Sequence, residues 1–72
     1  MLELFRELEE QRRRYANVLG AAERVTALLA ARFPDADVLP HCTELVRHTE
    51  KAIEALDQAI TVAARSPRAS ED

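Results

Sequence analysis

"RFPDADVLPH", residues Arg32 to His41, interrupts a chain whose apolar residues otherwise recur three and four positions apart. Pro34 disfavours helix at the residue before it, Phe33, and Asp35 or Asp37 is expected to cap a second helix through its carboxylate. Pro40 then falls in the first turn of that helix, where its missing N–H has no intrahelical acceptor to lose. So short a break makes its flanking helices antiparallel neighbours. The stretch therefore predicts an all-α, coiled-coil-like hairpin, with a helix over about 3–32, a turn over 33–37 and a helix over about 38–64. At ~1.5 Å per residue the arms are roughly 40 to 45 Å long. Beyond them "SPRASED", residues 66–72, with one proline, two serines and closing acids, reads as a disordered tail.

Before the break, Leu4, Leu8, Tyr15, Val18, Ala22, Val25 and Leu29 keep the helical spacing, and Gln11 alone breaks the series. Written as heptads, one seam is Met1, Leu8, Tyr15, Ala22 and Leu29, and the other is Leu4, Gln11, Val18, Val25 and Arg32. Phe5, Leu19 and Phe33 widen the stripe on one side. After the break, Leu39, Val46, Ile53 and Ile60 lie seven apart, with Cys42, Thr49, Leu56 and Ala63 between them, and Leu45, Ala52 and Ala59 broaden that face. Charge placement agrees with two helices. Glu3, Glu7, Glu9 and Glu10 crowd the positive end of the first and Arg65 the negative end of the second. Glu9 with Arg13 and Glu10 with Arg14 form the favoured i to i+4 pairs.

Composition sets the remaining bounds. A 72-residue chain is one domain at most, and a domain so small is marginally stable unless disulfides, metals or partners are added. Cys42 is the only cysteine, which rules out an internal disulfide and suits a reducing compartment. The opening MLELFRELEE holds four glutamates and one arginine, unlike a secretory signal, and no apolar run approaches the roughly 20 residues that cross a bilayer. A cytoplasmic protein with no membrane contact is expected. The net charge of −3 argues against nucleic acid as the main partner.

Candidate sites are few. His41, Cys42, Glu44 and His48 are potential metal ligands, with Glu44 and His48 on one helical face, but a structural zinc site wants four ligands and a second Cys/His pair is missing. Cys42 and a neighbouring histidine lack an orienting acid, oxyanion donors and a glycine-rich loop or strand to build a pocket. Neither enzymatic activity, nor a metal, nor a cofactor is expected. The basic run Arg12, Arg13 and Arg14 is the place to look for phosphate contacts, yet three consecutive residues spread around the helix and Glu9 and Glu10 lie one turn away.

The apolar stripes carry the functional expectation. Each is wider than one neighbour needs, so a lone hairpin leaves a patch of the kind that marks an interface. Gly20 in mid-helix suggests that another backbone comes close there, because glycine is about 1 kcal/mol worse than alanine at such a position. The residues expected at interfaces are Leu8, Tyr15, Val18, Gly20, Ala22, Val25, Leu29, Leu45, Val46, Ile53, Leu56 and Ile60. Self-association or a protein partner would complete the fold.

From Ala22 to Ile60, "ERVTALLAARF", a short Asp-containing turn and "HTEKAIEALDQAI" resemble the small E components of type III secretion systems. The likeness covers about half of the chain and lies in helix lengths, turn placement and a Glu/Ala/Ile/Leu pattern. It implies a cytoplasmic co-chaperone that joins a helical-repeat, tetratricopeptide-like chaperone to keep the needle subunit from polymerising, and it assigns no single residue a role. Two expectations follow: a non-enzymatic adaptor or co-chaperone, or a homodimeric four-helix bundle of structural or regulatory use that touches nucleic acid through Arg12 to Arg14.

Overall fold

The computed structural model describes residues 2–65, to which the tail at 66–72 does not belong. It is an all-α hairpin: α1 (Leu2–Arg32) and α2 (Leu39–Arg65) pack antiparallel along a body 54 Å long and 14 by 12 Å across. Alanine, leucine, glutamate and arginine dominate both segments, and no helix interior holds a proline beyond the first turn of α2.

Backbone hydrogen bonds alone make the reversal. The Phe33 N–H donates to the Leu29 carbonyl at 2.7 Å and closes α1. Two successive tight turns follow, Ala36 N–H to Phe33 carbonyl at 3.0 Å and Leu39 N–H to Ala36 carbonyl at 3.1 Å. Cys42 N–H then reaches the Val38 carbonyl at 3.0 Å and opens α2. Pro34 sits at the second position of the first turn, where its fixed φ is preset. No described residue has a positive φ, so the reversal needs no glycine, and none is present there. The expected carboxylate cap is not used. Leu39 already has a backbone acceptor and Pro40 has no N–H to satisfy, so Asp35 and Asp37 stay in solvent and cap nothing.

On α2 the residues turned toward α1 are Leu39, Val46, Ile53 and Ile60 with Cys42, Thr49, Leu56 and Ala63, all buried or half-buried. On α1 one of the two expected columns faces α2, namely Leu8, Ala22 and Leu29 with the more exposed Tyr15. The second column differs from expectation. Phe5, Arg12, Leu19 and Thr26 are half-buried in the seam, whereas Leu4, Val18 and Val25 stand 44%, 47% and 51% exposed beside it. Both columns border Leu8, Tyr15, Ala22 and Leu29, and the one turned inward carries the bulkier apolar residues, Phe5 and Leu19. A tie across the helices accompanies this rotation: the Arg12 guanidinium of the inward column hydrogen-bonds the Asp57 carboxylate through two nitrogens.

The resulting core is thin. Only Ala22 and Thr49 are buried, both small residues, and no large side chain among the described residues is fully enclosed. The Thr49 hydroxyl donates to the Leu45 carbonyl of its own helix at 2.7 Å, which satisfies it and leaves its methyl to the seam. Thr26 does the same to Ala22 at 2.7 Å.

Candidate protein-docking interface

The two long flanks of the hairpin differ in chemistry. On one side the seam is bordered by Glu9 and Glu23 of α1 and by Thr43, Glu50 and Asp57 of α2, and Arg12 reaches across it. On the other side α1 presents Leu4, Val18, Ala21, Val25 and Leu28, and α2 presents Leu45, Ala52, Ala55, Ala59 and Val62. Heptad geometry makes this division: a residue one position before a seam column falls to one flank and one position after it to the other.

At the turn-proximal half of the apolar flank the helices leave a shallow groove of about 230 Å³, lined by Val18, Ala21, Ala22, Val25, Thr26, Cys42 and Leu45. Ala22 and Thr26 form a low floor. Val25 and Leu45 stand as walls, 51% and 50% exposed. Apolar area held in water this way is unfavourable by ~25 cal/mol per Å² and gains by being covered.

Three polar side chains that border the flank are turned back along their own helices. Arg14 donates to Glu10 at 3.3 Å, and His48 meets Glu44 at 3.3 Å. The Gln11 amide donates to Glu7 at 3.1 Å. Each of these three is held by an acid four residues earlier.

The residues expected at interfaces divide three ways. Leu8, Ala22, Leu29, Val46, Ile53, Leu56 and Ile60 lie in the seam between α1 and α2. Val18, Val25 and Leu45 lie on the exposed apolar flank, and Tyr15 stands at the exposed edge of the seam. Gly20 lies on neither: a Cβ built there meets only the Arg24 guanidinium of its own helix, at 3.4 Å, and no atom of α2. The close approach expected at Gly20 is therefore not made within the hairpin. Leu28 and Val62 belong to the flank and escaped the sequence reading. Their signal was available, since each sits three residues from a recognised flank position.

The other candidates resolve into surface pairs. Arg13 and Arg14 share Glu10, and Arg12 is bound to Asp57, so all three arginines of the basic run face an acid. The pairing of Arg13 is with Glu10 rather than the expected Glu9. Glu44 is shared between His48 and Arg47, the latter at 3.1 Å. No group of three or more potential metal ligands gathers among the described residues, and no helix there is long and apolar enough to cross a membrane. Cys42 is a half-buried free thiol in the groove wall. No family model, curated protein or solved structure matches this chain.

Proposed function

We propose that the chain is a non-enzymatic helical adaptor, of the co-chaperone kind, that docks a helical partner protein onto its apolar flank in the cytoplasm. The observation that carries this reading is the pairing of a thin hairpin core with an adjoining flank of half-exposed apolar side chains. A helix laid along the flank would cover Val18, Val25, Leu28 and Leu45, which are about half exposed. Covering the exposed half of each side chain is worth roughly 1 kcal/mol, so four together rival the whole stability expected of so small a fold. The groove beside Val25 and Leu45 suits one bulky side chain of such a helix. A helical-repeat chaperone, the partner implied by the resemblance to type III secretion E components, offers surfaces of this shape. Nucleic acid is the weaker alternative, because a phosphate would have to displace an acid at each of Arg12, Arg13 and Arg14.

The test places a photo-crosslinking amino acid at position 45 on the apolar flank, and in a second variant at position 50 on the polar flank, in cells that make the protein. Adducts at 45 that contain peptides of a different, helical protein, with none at 50, are the expected result. Equal labelling at both positions, or adducts at 45 that hold only this chain's own peptides, would overturn the adaptor reading.

A further inference from the structure

We infer that, when no other protein is bound, the apolar flank is covered by the same flank of a second copy, in an antiparallel two-fold dimer whose axis passes beside Val18. The inference rests on the reading of this flank as a docking face and names its resting occupant. Three features of the hairpin carry it.

The first is size. The flank runs the 54 Å length of a body about 14 Å wide. A face of that outline offers on the order of 800 Å² per partner, the area that a specific protein interface needs.

The second is relief. Val18 and Ala52 lie near the midpoints of α1 (Leu2–Arg32) and α2 (Leu39–Arg65), so a two-fold set there and perpendicular to the helices overlaps both over their full lengths. It lays α1 on α1 and α2 on α2. Leu45, one heptad before the axis, comes over the low step at Ala55 and Ala59 of the second copy. Val25, one heptad after the axis, comes over the stem of Gln11, whose amide Glu7 holds aside. The other closed arrangement, with its axis parallel to the helices, lays α1 on α2 at the same level. Val25 and Leu45, which wall one groove, would then meet bulk against bulk, while the alanines faced Gln11 and Arg14.

The third is charge. The antiparallel arrangement sets the acidic start of α1, Glu3 and Glu7, opposite Arg32 at the end of α1 in the second copy, and symmetry repeats the match. Antiparallel α1 helices also bring opposite dipole ends together.

The dimer is measured by sedimentation equilibrium on the unmodified chain, and its geometry by cysteine oxidation in a Cys42→Ala background. Val18→Cys puts two thiols beside the axis, whereas Val62→Cys, the more exposed position, puts them far apart at opposite ends. The expected results are a dimer, oxidation of Val18→Cys to a covalent dimer roughly tenfold or more faster than Val62→Cys because of its higher effective concentration, and a helical monomer for Leu45→Glu. A parent that stays monomeric at every concentration, or Val18→Cys crosslinking no faster than Val62→Cys, overturns the inference. A monomeric parent that still photo-crosslinks a different protein at position 45 removes only the dimer. A dimer whose adducts at 45 hold only its own peptides removes the adaptor and keeps the dimer.

Discussion

Arg12 stands where a leucine would ordinarily stand, in a half-buried column of the α1 seam, and its guanidinium crosses to Asp57 at the far side of α2. The hydrogen bond that the guanidinium donates to Asp57, and after it the carboxylate's negative charge, raise the Arg12 pKa above its ordinary value. Stability gained from a raised pKa is present below the unfolded value and lost only as pH rises through the folded one, so the guanidinium's own titration adds no pH dependence near neutrality. The pair ties the inward column of α1 to α2. Arg12→Ala and Asp57→Ala are therefore expected to be non-additive in a double-mutant cycle, with coupling that weakens in high salt, because both groups are about half exposed. Additive losses would show that the two groups are not coupled across the helices. Gly20 gives the opposite kind of prediction. Since an added Cβ meets only a flexible arginine tip, Gly20→Ala is expected to stabilise the fold by about 0.5–1 kcal/mol, read as a higher melting temperature. A lower one would mean that a neighbour in the assembly needs the space.

At the scale of the helices, adjacent positions on α1 are expected to separate sharply. Leu19 faces α2 and Val18 does not, so Leu19→Ala should cost about 2 kcal/mol or more in chemical denaturation. Val18→Ala in a monomeric background should cost less than about 0.5 kcal/mol. Equal losses would contradict the rotation of α1 described above. On α2, Ile53→Asp would leave a carboxylate in the seam without a partner and should abolish helical structure altogether. Full helicity in that variant would refute the seam. These contrasts also mark what could be read without coordinates. Pro34 and Pro40 announced the hairpin, and the seven-residue spacing of Leu39, Val46, Ile53 and Ile60 announced the face of α2, because that helix has one apolar stripe. The face of α1 was ambiguous for a physical reason. Its stripe is one column wider than a seam, counting apolar residues does not separate Leu4, Val18 and Val25 from Phe5, Leu19 and Phe33, and the partner of Arg12 lies 45 residues away, out of reach of local spacing. The column misassigned to the seam is the one the folded chain leaves outside, and that surplus is the proposed docking face. The aspartate cap failed for a local reason, since the second backbone turn had already satisfied the Leu39 amide it would have served.

Taken whole, the molecule is a rod with one polar and one apolar long flank and a core in which, among the described residues, only an alanine and a threonine are buried. A body this thin hides little apolar surface of its own, and much of what stays in water lies along one flank, where one helical layer can cover it. Charge placed on that side should act on assembly and leave the hairpin intact: Val25→Glu is expected to retain helicity while losing partner and self contacts, whereas Glu50→Gln on the polar flank should change neither. The measurement that bears most directly on the account is thermal unfolding of the unmodified chain, followed by circular dichroism, across a wide concentration range with sedimentation equilibrium on the same samples. The account predicts a melting temperature that climbs with concentration as copies cover each other's apolar flank. A monomer that melts cooperatively, at a high temperature independent of concentration, would contradict it, because the hairpin would then be complete by itself.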